Sequence, residues 1–407
     1  MAPQPTVLVL GGVGFIGRNF VAHLVENGLA AEIRVIDKVL PQTAYLNKRF
    51  QAAFEKVQFM QGDLSNTIPP EKFEKIFTRD DGSSFDYVIN LASETKFSQL
   101  AEIYEERIYK LSINCAKEAV KRKAKVFVQV STGDIYESSG TASKEDSKTK
   151  PWNLMAQYKL KVDKELQDMP GLNLVILRPA VVYGIGAMAG LSKFYALAYT
   201  VHAVRIEMLT IIFGFGLPRK KNAAPRLICG RVYQHLQKTM EFLWTKDLKL
   251  NTVHVQDVVR AIWHSANWYV SSDNAQPGAP AIFNLADENN TDQEAVNTHI
   301  RSIFGIETDF KGTVFSLLAQ SDMKEATEET NDMHLGPWSN LLKAAQIKSS
   351  PLTPYLDQEL LCNNALSLDG TKICVSTGFT YEHPKVTTQS LREIITDFQE
   401  LGIWPRD

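Results

Sequence analysis

Residues 6–17 have the sequence TVLVLGGVGFIG, in which the apolar run Thr6–Leu10 leads into Gly11, Gly14 and Gly17. The run is typical of a buried strand, and the residues after Gly14 have the apolar spacing of a helix. Glycines at this spacing allow a tight turn, let backbone N–H groups approach a ligand, and bring the helix close to the strand. The positive end of the helix macrodipole faces the same point. This order of elements therefore predicts a site for the diphosphate of a dinucleotide.

Two aspartates follow the next predicted strands. Asp37 follows Gly17 by about 20 residues, the distance at which a carboxylate accepts hydrogen bonds from the adenosine ribose hydroxyls of a dinucleotide. The same carboxylate would repel a 2′-phosphate, so we expect NAD as the cofactor, with NADP disfavoured. Asp63, beside Leu64, is placed where a carboxylate can accept a hydrogen bond from the adenine amino group.

Short β-branched runs alternate with amphipathic segments in the first half of the chain. The alternation predicts an α/β protein with a doubly wound, parallel-sheet Rossmann fold, whose ligands gather at the carboxyl ends of the strands. The predicted strands are Thr6–Leu10, Glu32–Ile36, Val57–Gln61, Tyr87–Leu91, Val126–Ser131 and Leu172–Leu177. The predicted helices between them are Phe15–Gly28, Ile103–Lys121 and Leu154–Gln167.

In the second half of the chain, strands and helices alternate less regularly. We expect residues 1–185 to form the dinucleotide domain and residues 186–407 a smaller C-terminal substrate lobe, from which residues 251–268 return to the main domain. Residues 199–224 are an expected insertion, and Gln320–Leu366 an expected surface excursion before a final helix. The predicted elements outside the sheet order are helices Leu227–Leu243, Asp257–Trp268 and Asp292–Phe304, and strands Asn251–Val255 and Ala281–Leu285; the final helix is Thr387–Leu401.

The composition excludes several classes of protein. With 44 basic and 46 acidic side chains the formal net charge is −2, so the chain is not a polybasic nucleic-acid binder. Four scattered cysteines, without a CxxC pair or nearby histidines, predict neither a disulfide framework nor a metal site. The apolar stretch Leu191–Leu217 is interrupted by charges and is too short for a membrane span of ~20 apolar residues. We find no targeting segment before the first strand and expect a cytoplasmic protein.

Six segments carry a resemblance to a known family: GGVGFIG (11–17), GDLS (62–65), INLAS (89–93), VSTGDIYE (130–137), LRPAVVYGIG (177–186) and VHVQDVVRA (253–261). Over roughly residues 6–310, the chain resembles the extended short-chain dehydrogenase/reductases of the NAD-dependent epimerase/dehydratase group. The resemblance implies an oxidoreductase that acts on a hydroxyl of a nucleotide-sugar-like substrate, and makes a homodimer plausible. With the glycine turn and the aspartates, it implies these cofactor contacts: Gly11, Gly14, Phe15, Ile16, Gly17, Asp37, Asp63, Leu64, Leu91, Ala92, Ser93, Lys161 and Pro179.

The resemblance also implies a catalytic set, from which this chain departs. Thr132 matches the family residue that hydrogen-bonds the reacting oxygen. Aligning the family's tyrosine–lysine pair by its lysine and a downstream glutamate places Lys161 at the lysine and Gln157 at the tyrosine, and a glutamine amide cannot shuttle a proton. Three alternatives stay open: the adjacent Tyr158 replaces the base, another group or water does so, or the site binds NAD without the usual redox chemistry.

The substrate side of the site is less well defined. Gly133 and Asp134 occupy the positions of the dehydratases' acid–base pair, which argues against dehydration. The resemblance places Thr95, Asp134 and Tyr183 towards substrate. We expect Asp257 to cap the following helix and His254 to be structural. Two further functions stay open: a hydroxysteroid-type dehydrogenase and a catalytically silent NAD-binding protein. Basic residues able to grip a diphosphate occur in the second lobe, but such residues are usually only solvated and are poor evidence for a nucleotide-sugar; they include Lys220, Lys221, Arg226 and Arg231.

Overall fold

Within the part of the chain that the structure describes, the central layer is a sheet of seven parallel strands. The computed structural model describes residues 3–65, 70–188, 225–271, 279–321 and 323–406. The strands are β1 (Thr6–Leu10), β2 (Glu32–Asp37), β3 (Gln58–Gln61), β4 (Tyr87–Asn90), β5 (Val126–Val130), β6 (Leu174–Pro179), β7 (Val181–Tyr183), β8 (Met240–Phe242), β9 (Thr252–His254), β10 (Ala281–Leu285) and β11 (Thr308–Phe310). The sheet order is β10-β6-β5-β4-β1-β2-β3, which confirms the predicted doubly wound fold.

Helices cover both faces of the sheet. They are α1 (Phe15–Glu26), α2 (Lys48–Phe54), α3 (Pro70–Phe77), α4 (Ala101–Tyr104), α5 (Leu111–Lys121), α6 (Leu154–Gln167), α7 (Pro225–Leu236), α8 (Val255–Ser271), α9 (Gln293–Phe304), α10 (Gly312–Ser321), α11 (Met323–Ala344), α12 (Thr371–Thr377) and α13 (Thr388–Glu400). Strands β1, β4 and β5 are buried on both faces, as expected of strands that lie between two helical layers. A π-helical turn, Glu105–Lys110, joins α4 to α5.

Strand order places the candidate site. β1 pairs with β2 on one side and with β4 on the other, so the winding direction of the sheet reverses at β1. Loops that leave β1 and β4 therefore diverge at their carboxyl ends and open a crevice for a ligand. The glycine turn follows β1, and Leu91–Ser93 follow β4 at the same edge.

The second half of the chain departs from three expectations. β10 does not lie apart from the sheet but extends it, pairing in parallel with β6 from Ala281↔Val175 to Leu285↔Pro179. The helix predicted over Leu227–Leu243 ends at Leu236, because Met240–Phe242 instead pairs with β11. The predicted surface excursion contains the long helix α11, whose Trp338 is buried and donates from Nε1 to the Leu352 carbonyl at 3.0 Å.

The C-terminal residues complete the core of the main domain. Ile394 and Phe398 of α13 are fully buried in the larger hydrophobic cluster. The Asn47 amide donates to the Asp397 carboxylate at 2.6 Å, which ties α13 to the residue that caps α2. The last segment of the chain is therefore part of the folded unit that holds the sheet.

Membrane-spanning helices, metal-binding groups and disulfide bonds are absent from the described residues. None of their helices is long and apolar enough to cross a membrane. The same residues hold no group of three or more histidine, cysteine or acidic side chains that could bind a metal ion. The four cysteines are free thiols. The predicted insertion 199–224 and the apolar stretch Leu191–Leu217 lie outside the described residues.

Candidate dinucleotide and substrate site

The glycine turn after β1 has the shape of an anion cradle. Gly11 has φ +79°, and a Cβ atom there would lie 2.6 Å from the backbone nitrogen of Ala92. A Cβ on Gly17 would lie 2.4 Å from the Gly11 carbonyl oxygen, so the helix can approach the strand only with glycine there. Gly14 is exposed, and α1 begins after it without any side-chain cap. The first N–H groups of α1, including those of Phe15 and Ile16, are thus left for a bound anion.

Asp37 lies against this turn. Its Oδ2 accepts a hydrogen bond from the Val13 N–H at 2.9 Å, and its Oδ1 accepts from the Val39 N–H at 3.0 Å. Each carboxylate oxygen has further lone-pair capacity, so the group is held in a fixed orientation and can still accept hydrogen bonds from a ribose. The predicted role of Asp37 is chemically compatible with this geometry.

The remaining predicted cofactor contacts follow β3 and β4. Asp63 is exposed and accepts from the Ser65 N–H at 3.0 Å, while Leu64 is buried. Partial burial alone would raise the pKa of Asp63, but the Ser65 hydrogen bonds outweigh it and lower the pKa. Residues Leu91, Ala92 and Ser93 are half-buried at the end of β4.

Glu94 anchors the loop that follows β4. It is 7% exposed, and its Oε1 accepts from the N–H groups of Thr95 at 3.0 Å and Lys96 at 3.1 Å. Its Oε2 accepts from Arg107 at 3.1 Å. Burial would raise the pKa of Glu94, yet these hydrogen bonds hold it below its usual value. The carboxylate therefore fixes the loop that carries Ser93 and the exposed Thr95, a structural role that the sequence alone did not indicate for Glu94.

Helix α6 presents a different lysine from the one predicted. The Asn153 side chain caps the helix by accepting from the Ala156 N–H at 2.7 Å. Lys161 is about half exposed, pairs with Glu105 at 3.3 Å and lies over the Tyr109 ring, on a face directed away from β5. Lys159 is the lysine that faces the sheet, with its Nζ 3.5 Å from the Val130 carbonyl oxygen at the end of β5. The register based on Lys161 is thus corrected by two residues.

If Lys159 takes the place of the family's lysine, the family's tyrosine, four residues earlier, corresponds to residue 155. One turn before Lys159 is Met155, which is buried in the hydrophobic cluster beneath α6. Gln157 is exposed. Tyr158 packs on the same cluster with its ring 6.1 Å from that of Tyr104, so it points along the helical layer rather than towards Thr132. A tyrosine base is therefore missing from the described part of the site in either register.

Lys159 lies between two carboxylates. Burial lowers its pKa to about 8, although the charges of Asp163 and Asp134 act in the opposite direction. Asp163 is fully buried and accepts from Arg178 at 3.0 Å, and both side chains are almost inaccessible to solvent. Arg178 also donates to the Tyr136 hydroxyl at 2.8 Å. This network joins α6 to the carboxyl ends of β5 and β6.

Thr132 lies two residues before Asp134, which lines a cleft between the main domain and the smaller lobe. Thr132 is half-buried after β5, and its Oγ1 accepts from the Asp134 N–H at 3.2 Å. Asp134 lines the cleft together with Trp152 and with residues of the smaller lobe. A threonine hydroxyl and a carboxylate at this point can hydrogen-bond a substrate oxygen.

Two predictions on the substrate side are wrong. Tyr183 is fully buried, donates to the Lys385 carbonyl at 3.2 Å and packs edge-on against His254, so it cannot meet a substrate. Asp257 does not cap a helix that starts after it, since α8 already begins at Val255. Its carboxylate instead accepts from the backbone N–H groups of Glu382 and His383 at 2.9 and 2.8 Å.

Pro179 and His254 are both buried and contact other protein groups in the structure. Pro179 is buried as the last residue of β6, opposite Leu285. His254 is buried and stacks on His383 at a centroid distance of 3.9 Å. Burial lowers the pKa of His254 to about 4, in keeping with the structural role expected for it.

Several solved structures with a similar fold are nucleotide-sugar epimerases. A UDP-glucose 4-epimerase from Stenotrophomonas maltophila, with bound NAD and formylated UDP-arabinopyranose, superposes with a TM-score of 0.63 at 14% identity over 98% of this chain and 99% of that one. A UDP-N-acetylglucosamine 4-epimerase from Methanobrevibacter ruminantium gives 0.61 at 16% identity, with the same coverage. A Thermotoga maritima UDP-glucose 4-epimerase gives 0.60 at 18% identity over 97% and 99%.

The sequence itself assigns the family. A comparison with curated proteins returned no match. The family model described as the NAD dependent epimerase/dehydratase family matches residues 7–286, which include the glycine turn, Asp37, Thr132, α6 and β10. This chain belongs to the NAD dependent epimerase/dehydratase family.

Proposed function

We propose that this protein binds NAD at the carboxyl edge of the sheet. The uncapped start of α1 would hold the diphosphate, and Asp37 would hold the adenosine ribose. The space beside Gly14 supports the assignment, because a Cβ there would meet nothing nearer than the Gly11 carbonyl oxygen at 3.3 Å. Lys159, rather than Lys161, would donate to the hydroxyls of the nicotinamide ribose.

We further propose that the protein oxidises a hydroxyl, or reduces a ketone, beside Thr132. NAD supplies a hydride acceptor when bound. Thr132 would hydrogen-bond the reacting oxygen, and the Nζ of Lys159 would take the hydroxyl proton. The position of Lys159 carries this proposal: its contact with the Val130 carbonyl is long, at 3.5 Å, and leaves N–H donors for a ligand. A pKa of about 8 makes the neutral amine available in mildly alkaline solution.

A second candidate function is NAD binding without turnover. It is favoured by Met155, because a thioether cannot exchange a proton and occupies the place of the usual base. A tuned general acid or base contributes about 10² to 10⁴ in rate, so its loss would leave a very slow enzyme unless Lys159 replaces it.

Turnover by matched lysine variants separates the two functions. Purified full-length protein is first titrated with NAD by calorimetry and then incubated with NAD and a panel of alcohols, including UDP-glucose, while the absorbance of reduced nicotinamide is recorded. An epimerisation without net reduction is followed by separating the products. We expect Lys159→Met to reduce kcat by about 10² or more, and Lys161→Met to leave it within about twofold.

Three results would count against these proposals. If no heat accompanies NAD addition, the cofactor assignment fails. If NAD binds but the wild-type protein turns over no substrate, NAD binding without turnover replaces the oxidoreductase. If Lys159→Met turns over at the wild-type rate, Lys159 is not the proton acceptor.

A further inference from the structure

The cleft that Asp134 lines is almost closed in the structure. Its cavity volume is about 40 Å³, which is room for little more than water, whereas a site for a small organic ligand has roughly 300–1,000 Å³. Asp134 and Trp152 form the wall that belongs to the main domain, and the opposite wall includes Leu360, Leu361 and Cys362. A ligand can therefore reach Asp134 through this cleft only after the two walls have moved apart.

Part of the opposite wall is a C-terminal segment, residues 357–364, which we call the strap. It lies beyond the part of the chain that the family model matches. Before it, the Leu356 N–H donates to the Asn331 side-chain oxygen at 2.6 Å, and the Leu356 carbonyl accepts from the Asn331 amide at 3.0 Å. After it, the Leu366 N–H donates to the Lys249 carbonyl at 2.8 Å. Both ends of the strap are thus held by other described segments.

The middle of the strap belongs to the smaller lobe. Leu361 is 3% exposed and packs in a hydrophobic cluster with Leu243, Trp244 and Leu356. The Trp244 indole donates from Nε1 to the Leu361 carbonyl at 2.8 Å. A strap bonded in this way moves as part of the smaller lobe, so the cleft opens where the strap meets the main domain.

Ser98 of the main domain joins the strap across the cleft. Its hydroxyl donates to the Asp357 carboxylate at 2.6 Å, and its backbone N–H donates to the Glu359 carboxylate at 3.0 Å. Ser98 follows Phe97, whose ring stacks on Trp152 with centroids 6.4 Å apart, so the serine lies beside the main-domain wall. Ser98 has φ +52°, a left-handed conformation that is uncommon for a residue with a side chain and persists where its surroundings hold it. Because Ser98 is exposed, water can replace both acceptors when the contact breaks.

We infer that the strap is a gate over the cleft, and that the two hydrogen bonds from Ser98 to Asp357 and Glu359 are the clasp that holds it shut. Breaking the clasp lets the strap withdraw with the smaller lobe and uncovers Asp134, two residues from Thr132. The functional consequence rests on the proposed function, because Thr132 is where we place the reacting hydroxyl. A gate that closes again after a substrate has entered keeps water from the reacting atoms.

Cys362, a thiol in the strap, reports on the gate in the native chain. It is half-buried, and burial, followed by the charges of Glu359 and Asp357, raises its pKa. Opening the strap exposes Cys362 and should make it react faster with iodoacetamide, since the thiolate is the reactive form. Cys374 on α12 is also half-buried and lies outside the strap, so it is an internal control. The reaction of each thiol in the full-length protein is followed by mass spectrometry of its peptide.

Two substitutions at Ser98 should open the gate. Ser98→Ala removes the hydrogen bond to Asp357, and we expect Cys362 to react about fivefold faster or more. Ser98→Asp places a third carboxylate beside Asp357 and Glu359, and like-charge repulsion should give a larger increase, which added salt reduces. The new charge by itself would raise the pKa of Cys362 and slow its reaction, so a faster reaction must come from opening.

The matched control is Ser83→Ala. Ser83 also donates from its hydroxyl to an aspartate, Asp81, at 2.6 Å, but it lies in the loop before β4, at the amino edge of the sheet. Both thiols should react at the wild-type rate in this variant, and Cys374 should do so in all three.

The thiol measurement needs neither NAD nor a substrate, so the gate and the proposed function can fail separately. Unchanged reactivity of Cys362 in both Ser98 variants would overturn the gate. An equal increase for Cys374 in those variants would show general loosening of the fold and would overturn it as well. A faster reaction of Cys362 in Ser83→Ala would remove the special role of Ser98. Failure of NAD to bind bears only on the proposed function.

Discussion

At the scale of single residues, the burial of Lys159 matters most, because it changes the pKa of the side chain. Its ordinary pKa of 10.5 is lowered to about 8 by burial, in spite of the neighbouring charges of Asp163 and Asp134. The side chain therefore changes charge in a pH range where the protein can be assayed.

This lowered pKa predicts a pH profile. Only the neutral amine can accept a proton, so the rate of alcohol oxidation should rise by about tenfold per pH unit below pH 8 and level off above it. Initial rates at saturating NAD, measured across this range, test the prediction. Lys161→Met should retain the profile. A rate that is independent of pH through this range would contradict proton transfer to Lys159.

The signals for the cofactor side of the site are local in the sequence, whereas those for its catalytic side depend on packing. Glycine spacing predicted the turn after β1, and the strand pattern placed Asp37 near the end of β2, against that turn. The register of α6 was missed because Lys159 and Lys161 are each followed, four residues later, by an acidic residue, Asp163 or Glu165. Only packing against β5 decides which lysine faces inward. One usable signal was Arg178, whose buried charge requires an acidic partner and pairs with Asp163.

At the scale of elements, α6 is joined to the sheet by the buried Asp163–Arg178 pair. The two side chains are 1% and 4% exposed, and Arg178 extends the connection to Tyr136. The Tyr136 hydroxyl in turn donates to Asn284 of β10 at 2.8 Å. The edge strand, β5 and the helix that carries Lys159 are thus fixed relative to one another by one polar network.

Removing one member of this network should be costly. Asp163→Ala leaves the Arg178 charge buried without its partner, and we expect a loss of about 3–5 kcal/mol in the free energy of unfolding. Equilibrium urea denaturation measures the change. The matched control is Glu105→Ala, which breaks the exposed pair with Lys161 and should cost about 1 kcal/mol or less. Equal effects of the two substitutions would contradict the structural role given to Asp163.

At the scale of the whole molecule, residues beyond the family match help to build the core that supports the site. Trp404 is 2% exposed and packs against Trp338 of α11 and Phe398 of α13, with centroid distances of 5.5 and 6.0 Å. Sequence patterns did not foresee this arrangement. The acidic start of Gln320–Leu366 and its three prolines, one of which (Pro337) lies inside α11, suggested a surface excursion. β10 joins the sheet through a non-local pairing that leaves no local periodicity.

Trp404→Ala should therefore destabilise the whole main domain, and not only the C-terminal segment that contains Trp404. We expect a loss of about 3–5 kcal/mol, from the lost burial and the cavity left behind, within a single cooperative transition followed by circular dichroism. Val375→Ala, at an exposed position, should change stability by about 0.5 kcal/mol or less. A separate early transition that leaves NAD affinity intact would show that the C-terminal segment unfolds independently.

The bond between Asn47 and Asp397 also bears on how the protein is made. The cap residue of α2 emerges from the ribosome about 350 residues before its partner, and Ile394 and Phe398 are needed to fill the core beneath the sheet. Domains generally fold as units during synthesis. The early strands must therefore wait with part of their apolar surface uncovered until α13 has been translated, and we expect the nascent chain to bind holdase chaperones throughout that interval.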